Sequence, residues 1–109
     1  MANTFKLKTK ANVGVSTVGI YTAPASTTTD VIGITLANTS GSGVNVGVGI
    51  TRAGTTEDVK LLKNAPIPSG SSLEFMAGNK VVLEATDTVT VDSDTNNSVD
   101  AALTIMEIT

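Results

Sequence analysis

Val31-Ile-Gly-Ile-Thr-Leu36, Asn38-Thr-Ser-Gly-Ser-Gly43 and Val44-Asn-Val-Gly-Val-Gly-Ile50 follow one another along the chain as two apolar runs around a polar cluster. In the third segment Val44, Val46, Val48 and Ile50 alternate with Asn45, Gly47 and Gly49. That is the period of a strand with one buried face. In the first segment Ile32, Ile34 and Leu36 share a face and Thr35 points away. The Asn/Ser/Gly cluster between them is turn-forming, so the two runs are expected to pair as an antiparallel hairpin.

The same grammar extends in both directions. Phe5 and Leu7 alternate with Lys6, Lys8 and Lys10, and Val18-Gly-Ile-Tyr21 precedes a break at Pro24. Val59–Leu62 follows the polar turn Ala53–Glu57, and Ser72–Met76 follows Pro66-Ile-Pro-Ser-Gly70. The two prolines exclude a central strand there, because proline cannot donate to a ladder. Lys80–Glu84 follows Gly78-Asn79, Thr88–Asp92 follows Thr86-Asp87, and Val99–Ile108 forms the last run. Eight or nine short strands, with turns about every ten residues, predict an all-β antiparallel sandwich of the jelly-roll or small-barrel kind. No linker or repeat divides the chain. Residues 1–10 read as a basic arm or edge strand, and residues 11–109 as a single β-sandwich domain.

Composition narrows the function. The 109 residues contain no Cys, His or Trp and only three aromatics, so the core is aliphatic and neither disulfides nor thiolate metal sites can reinforce it. Self-association is one common remedy for so small a core. No apolar run reaches the length of a membrane span, and the first ten residues alternate instead of forming a secretory block. The expected place of synthesis is the cytoplasm. Lys6, Lys8 and Lys10 are the only charges in those ten residues, whereas the other four cations face all ten acids. Nucleic-acid binding is not expected from so few cations without interleaved aromatics.

The groups that carry catalysis are scarce. Without His or Cys there is no Ser-His or Cys-His pair and no ordinary zinc site. Glu57-Asp58 places two carboxylates side by side, but neighbours in a strand point to opposite faces, so a solvated turn is expected. Gly41-Ser-Gly43 and Gly47-Val-Gly49 lack the third glycine and the following helix of a phosphate loop. Gly47 and Gly49 instead leave a sheet face bare for close approach, either within the chain or by a neighbour. Asp92-Ser-Asp-Thr-Asn-Asn97 begins like a calcium loop, yet Asn97 stands where Gly belongs and Leu103 where the bidentate Glu belongs. A turn is the expected role. No cofactor, metal or enzymatic activity is expected.

Two longer stretches bring a resemblance. Tyr21-Thr-Ala-Pro-Ala-Ser-Thr-Thr-Thr-Asp30 running into Val31–Asn38, and Asn64-Ala-Pro-Ile-Pro-Ser-Gly-Ser-Ser-Leu73 leading to Ala77–Val91, are similar to small virion proteins of tailed bacteriophages. With the closing Met106-Glu-Ile108, the likeness covers the chain from about Val18 onward. It resembles accessory structural proteins of marine and cyanobacterial phages. The resemblance implies a β-sandwich virion subunit at the capsid surface, neck or tail that assembles with copies of itself or with major virion proteins. It assigns no residue a chemical role.

The expected function is therefore a capsid decoration, cement or head-neck accessory subunit working through protein–protein contacts. The partners are a homo-oligomer, a trimer being one form, and the major capsid or neck and tail proteins, with neither nucleic acid nor membrane. Interfaces are expected on the amino-terminal arm (Lys6, Lys8, Lys10), the face of Asn45, Gly47 and Gly49, and the Pro66–Gly70 loop with Pro66 and Pro68. The competing reading is a receptor- or carbohydrate-binding module of a tail fibre. Sugar sites stack rings on exposed aromatics, and here Tyr21 is the sole phenol while Phe5 and Phe75 are expected in the core.

Overall fold

The computed structural model describes residues 3–75 and 81–109. Met76, Lys80 and the Gly78-Asn79 turn, assigned above to strand ends and a connection, lie outside the described residues. Among these residues nine strands follow in order: β1 (Asn3–Val13), β2 (Val18–Thr22), β3 (Thr28–Asn38), β4 (Val44–Thr51), β5 (Asp58–Ile67), β6 (Ser72–Phe75), β7 (Val81–Leu83), β8 (Thr88–Ser93) and β9 (Val99–Ile108). Among the described residues there is no helix.

The strands form two sheets. Sheet A runs β1-β9-β3-β6, with β7 also on β3, and sheet B runs β2-β8-β4-β5. Every pairing is antiparallel. β6 pairs Ile34–Ala37 of β3 and β7 pairs Thr29–Val31, so the two short strands occupy successive stretches of one edge. This order is that of a jelly roll with one strand in two pieces.

The expected hairpin does not form: β3 belongs to sheet A and β4 to sheet B. The turn cluster crosses the sandwich instead, and Asn38 shows why. Its buried side chain donates from Nδ2 to the carbonyls of Ser42 (2.8 Å) and Ile67 (2.9 Å), while Oδ1 accepts from Ser40 N (2.9 Å) and Oγ (2.7 Å). One amide thus ties the end of β3 both to its own loop and to the end of β5 in the opposite sheet. Ile32 also departs from its expected face. The ladder passes from Val31↔Ile105 to Gly33↔Thr104, leaving Ile32 as the extra residue of a bulge. Val31 therefore points inward with Ile34 and Leu36, and Ile32 outward.

Between the sheets lies an aliphatic core. Val31, Ile34, Leu36, Leu83, Leu103 and Ile105 of sheet A face Val44, Val46, Val48, Val89 and Val91 of sheet B. Alternation makes this possible, since residues two apart share a face and opposed faces interdigitate across about 10 Å. β5 continues beyond its expected end at Leu62 to Ile67, with Asn64 at φ 56° and Pro66 inside it. As an edge strand it tolerates the proline.

Candidate functional site

β1 turns over relative to expectation. Phe5 and Leu7, expected to face the core, are 69% and 65% exposed. The cause is β9, whose alternation buries Val99, Ala101, Leu103, Ile105 and Glu107. Lys6 pairs Ile105 and Lys8 pairs Leu103, so the lysines share the inward face. Glu107 gives that register its electrostatic reason. Lys6 Nζ lies 2.9 Å from Glu107 Oε1, and the Tyr21 hydroxyl donates to Glu107 Oε2 at 2.6 Å while lying 2.8 Å from Thr29 Oγ1. The tyrosine and lysine contacts hold the Glu107 carboxyl below its ordinary value. Burial, reinforced by Glu107, pushes the Tyr21 hydroxyl up to about 12. A one-residue slip would turn Lys6 to solvent and remove the counter-charge from a buried carboxylate. Lys8 and Lys10 form no salt bridge among the described residues.

On the outward face of sheet B, the bareness of Gly47 and Gly49 is used within the chain. Both are buried, beneath the Asp92 and Asp58 carboxylates. A Cβ on Gly47 would meet Asp92 Oδ1 at 2.6 Å, and one on Gly49 would meet Asp58 Oδ1 at 2.5 Å. Lys60 Nζ bridges the two carboxylates at 2.8 Å and 3.0 Å, with Thr90 donating to Asp58 and Thr17 to Asp92. Burial raises the Asp58 carboxyl, but Lys60 and Thr90 outweigh it and hold the group low. Burial likewise lowers the Lys60 ammonium, and its two carboxylate partners carry it up instead. Asp58 is thus part of a strand-borne ion cluster and not of the solvated turn expected for Glu57-Asp58.

The remaining candidates lie at one end of sheet B. Asn45 is exposed and pairs Pro66 across the β4–β5 ladder, and Pro68 is exposed in the turn that follows, where its carbonyl accepts from Ser71 N. The structure therefore brings Asn45 and Pro66 together and places the lysine strand in the other sheet. Of the Asp92–Asn97 segment, Asp92 and Ser93 end β8 and residues 94–97 make the turn between sheets: Asp94 Oδ1 accepts from Asn45 N, and Asn97 sits at φ 51°. Among the described residues no cluster of three or more His, Cys, Asp or Glu could hold a metal ion.

The surface that sequence reasoning missed is the outward face of sheet A. One row across four strands reads Phe5, Met106, Asp30, Val82, as the registers Phe5↔Met106, Asp30↔Met106 and Asp30↔Val82 require. Leu7 and the bulged Ile32 adjoin it, so an apolar ridge stands proud at this end. Four residues further along β9 the side chains shrink. Thr9, Ala11, Thr35, Ala37 and Ala102 line an open groove of about 380 Å³. Among the described residues the acids Asp30, Glu74 and Asp100 lie on this face, and Lys10 borders the groove. A signal was present in Val99–Ile108, where both alternating sets are largely apolar: Ala102, Met106 and Ile108 make a second stripe beside the core set. Tyr21 is buried and Phe75 half-buried, which leaves Phe5 as the exposed ring of the three aromatics.

No protein-family model matches the sequence, and no curated protein matches it. Two solved structures share the fold. One is a chain from the disulfide-linked pili of Bacillus endospore appendages, 15% identical, with TM-score 0.60 over 99% of this chain and 87% of that one. The other is a chain of the acid-stable capsid of Helicobacter pylori bacteriophage KHP30, 11% identical, with TM-score 0.58 over 98% of this chain and 87% of that one.

Proposed function

We propose that the chain is a non-enzymatic structural subunit of a tailed-phage virion, of the marine or cyanobacterial type that its sequence resembles, and that it acts as a capsid decoration, cement or head-neck accessory protein. The observation that carries this reading is the outward face of sheet A. A ridge containing the exposed Phe5 and Leu7 on a rigid sheet is a surface suited to contact with another protein. The likeness of fold to a chain of a phage capsid agrees with it. A disulfide-linked fibre is ill suited to this chain, which has no cysteine. The buried carboxylates Asp87 and Glu107 and the half-buried Asp58 are each engaged by cations, hydroxyls or backbone amides, an arrangement that serves structure. Among the described residues no helix is long and apolar enough to cross a membrane.

The test is to locate the protein in purified particles by mass spectrometry and cryo-electron microscopy. A regular, stoichiometric density on the capsid or at the neck is the expected result. Absence from particles, or turnover of a substrate by the pure protein, would overturn the reading. The alternative, a carbohydrate-binding fibre module, now has only Phe5 as an exposed stacking ring, and selective signals on a glycan array would favour it.

A further inference from the structure

We propose that the outward face of sheet A is a two-fold contact between two copies of this chain, the apolar ridge of each copy lying in the small-residue groove of the other. The inference deepens the reading of the chain as an assembly subunit by naming one surface and its occupant. Knob and hollow lie on the same face of one chain. Along β9 the ridge is centred on Met106 and the groove on Ala102, each two residues from Thr104. An axis lying in the face, across the strands at the level of Leu7, Thr104 and Gly33, therefore lays each Phe5–Met106 row over a Thr9–Ala102 row. Self-complementarity of this kind is what a closed two-fold contact requires.

Size and chemistry agree with the geometry. Four strands spaced by ~4.8 Å, and the eight ~3.4 Å rises from Asn3 to Ala11, enclose roughly 500 Å² per copy. Two such faces bury about 1,000 Å², the level at which specific interfaces begin. Asp30, in the ridge row on β3, then faces Thr35 of the other copy, a hydroxyl donor in the groove row. Gly33 on the axis carries no side chain to hold the sheets apart, and a Cβ there would meet the Phe75 carbonyl at 4.0 Å. Asp30, Glu74 and Asp100 give both faces negative charge, so the contact is tighter at high salt than at low salt. Lys6 and Lys8 lie on the opposite face of β1, and Lys10 borders the groove beside Asp100.

Sedimentation equilibrium of the pure full chain tests this. The wild type should dimerise reversibly at about micromolar to 100 micromolar concentration, more tightly at ~0.5 M than at ~0.05 M salt. Phe5→Asp in the ridge and Ala102→Arg in the groove should each weaken dimerisation by at least ~30-fold, while Lys63→Glu on sheet B should not. Circular dichroism and thermal melts check that each variant is folded, as surface changes at these positions should be. Because the chain has no cysteine, a Thr104→Cys variant should join to itself through a short bis-maleimide across the ~10 Å gap between stacked sheets. A wild type that stays monomeric at ~100 μM, or an oligomer of any order that survives both Phe5→Asp and Ala102→Arg, overturns the proposal. A monomer that is nevertheless found in particles would sink this contact alone and leave the structural role standing.

Discussion

The Tyr21 hydroxyl donates a 2.6 Å hydrogen bond to the Glu107 carboxylate, joining the outermost strand of sheet B to the middle of sheet A. Lys6 completes the cluster from the edge of sheet A. Replacing Tyr21 with Phe removes a donor from a buried carboxylate, and should lower stability at neutral pH by ~1–3 kcal/mol in urea titration.

The same contact sets a pH window. The folded Glu107 carboxyl titrates below its ordinary value of 4.5, so its stabilisation is complete above that value and is lost as pH falls through the folded one. Asp58 and Asp87 are shifted in the same direction and add to this acid limb. Tyr21 moves the other way, from 10.0 to about 12, so its share is present below pH 10 and is lost as pH rises towards 12. Lys60, raised above 10.5, contributes to the alkaline limb as well. Melting temperature against pH should therefore form a plateau with two falling sides. Glu107→Gln should make the acid side shallower, and Tyr21→Phe the alkaline side.

Gly47 and Gly49 should resist substitution for reasons internal to the fold. A Cβ on Gly49 lands 2.5 Å from Asp58 Oδ1, and the carboxylate is tied to Lys60 and Thr90. Gly49→Ala should cost ~1–3 kcal/mol, as overpacking does. Adding Asp58→Ala should recover part of the loss. A double-mutant cycle by thermal denaturation reads this coupling, and additive effects would contradict the contact.

Asn38 holds the crossover between the sheets, and Asn38→Ala strands the carbonyls of Ser42 and Ile67 and the amide of Ser40. A loss of ~2–4 kcal/mol is expected, since each buried group left without its partner costs ~1–3 kcal/mol and some are rescued by water. Chemical denaturation measures it.

Calcium should leave the melting temperature unchanged at about millimolar concentration, a level at which weak extracellular sites are filled. Asp92 Oδ2 is already engaged by Lys60 and Thr17, and Asp94 Oδ1 by the amide of Asn45.

Strand positions were legible because alternation is local and strong, as in Val44–Ile50 and Val99–Ile108. Strand partners were not. The hydrophobic pattern of Val31–Leu36 says which face is buried but carries nothing about neighbours, and the crossing depends on one amide at Asn38 reaching Ile67. The lysine strand misled for a related reason. Phe5 and Leu7 resemble a core face in isolation, and only the buried Glu107, about a hundred positions away, turns Lys6 inward. The glycine face left two alternatives open because the carboxylates covering it come from β5 and β8. The polar residues inside the fold, such as Thr29, Asp87 and Ser98, gave no sequence signal, since their burial follows from partners distant in the chain.

β9 lies between β1 and β3, so sheet A exists as a continuous surface only after Val99–Ile108 has inserted between two strands near the other end of the sequence. Until that insertion Leu103 and Ile105 have no lid, Glu107 has neither its cation nor its phenol, and the ridge and groove have no common floor. Folding of this kind rests on distant encounters and runs in milliseconds to seconds. An unfinished chain therefore cannot offer the ridge and the groove together, so any contact that needs both waits for a completed fold.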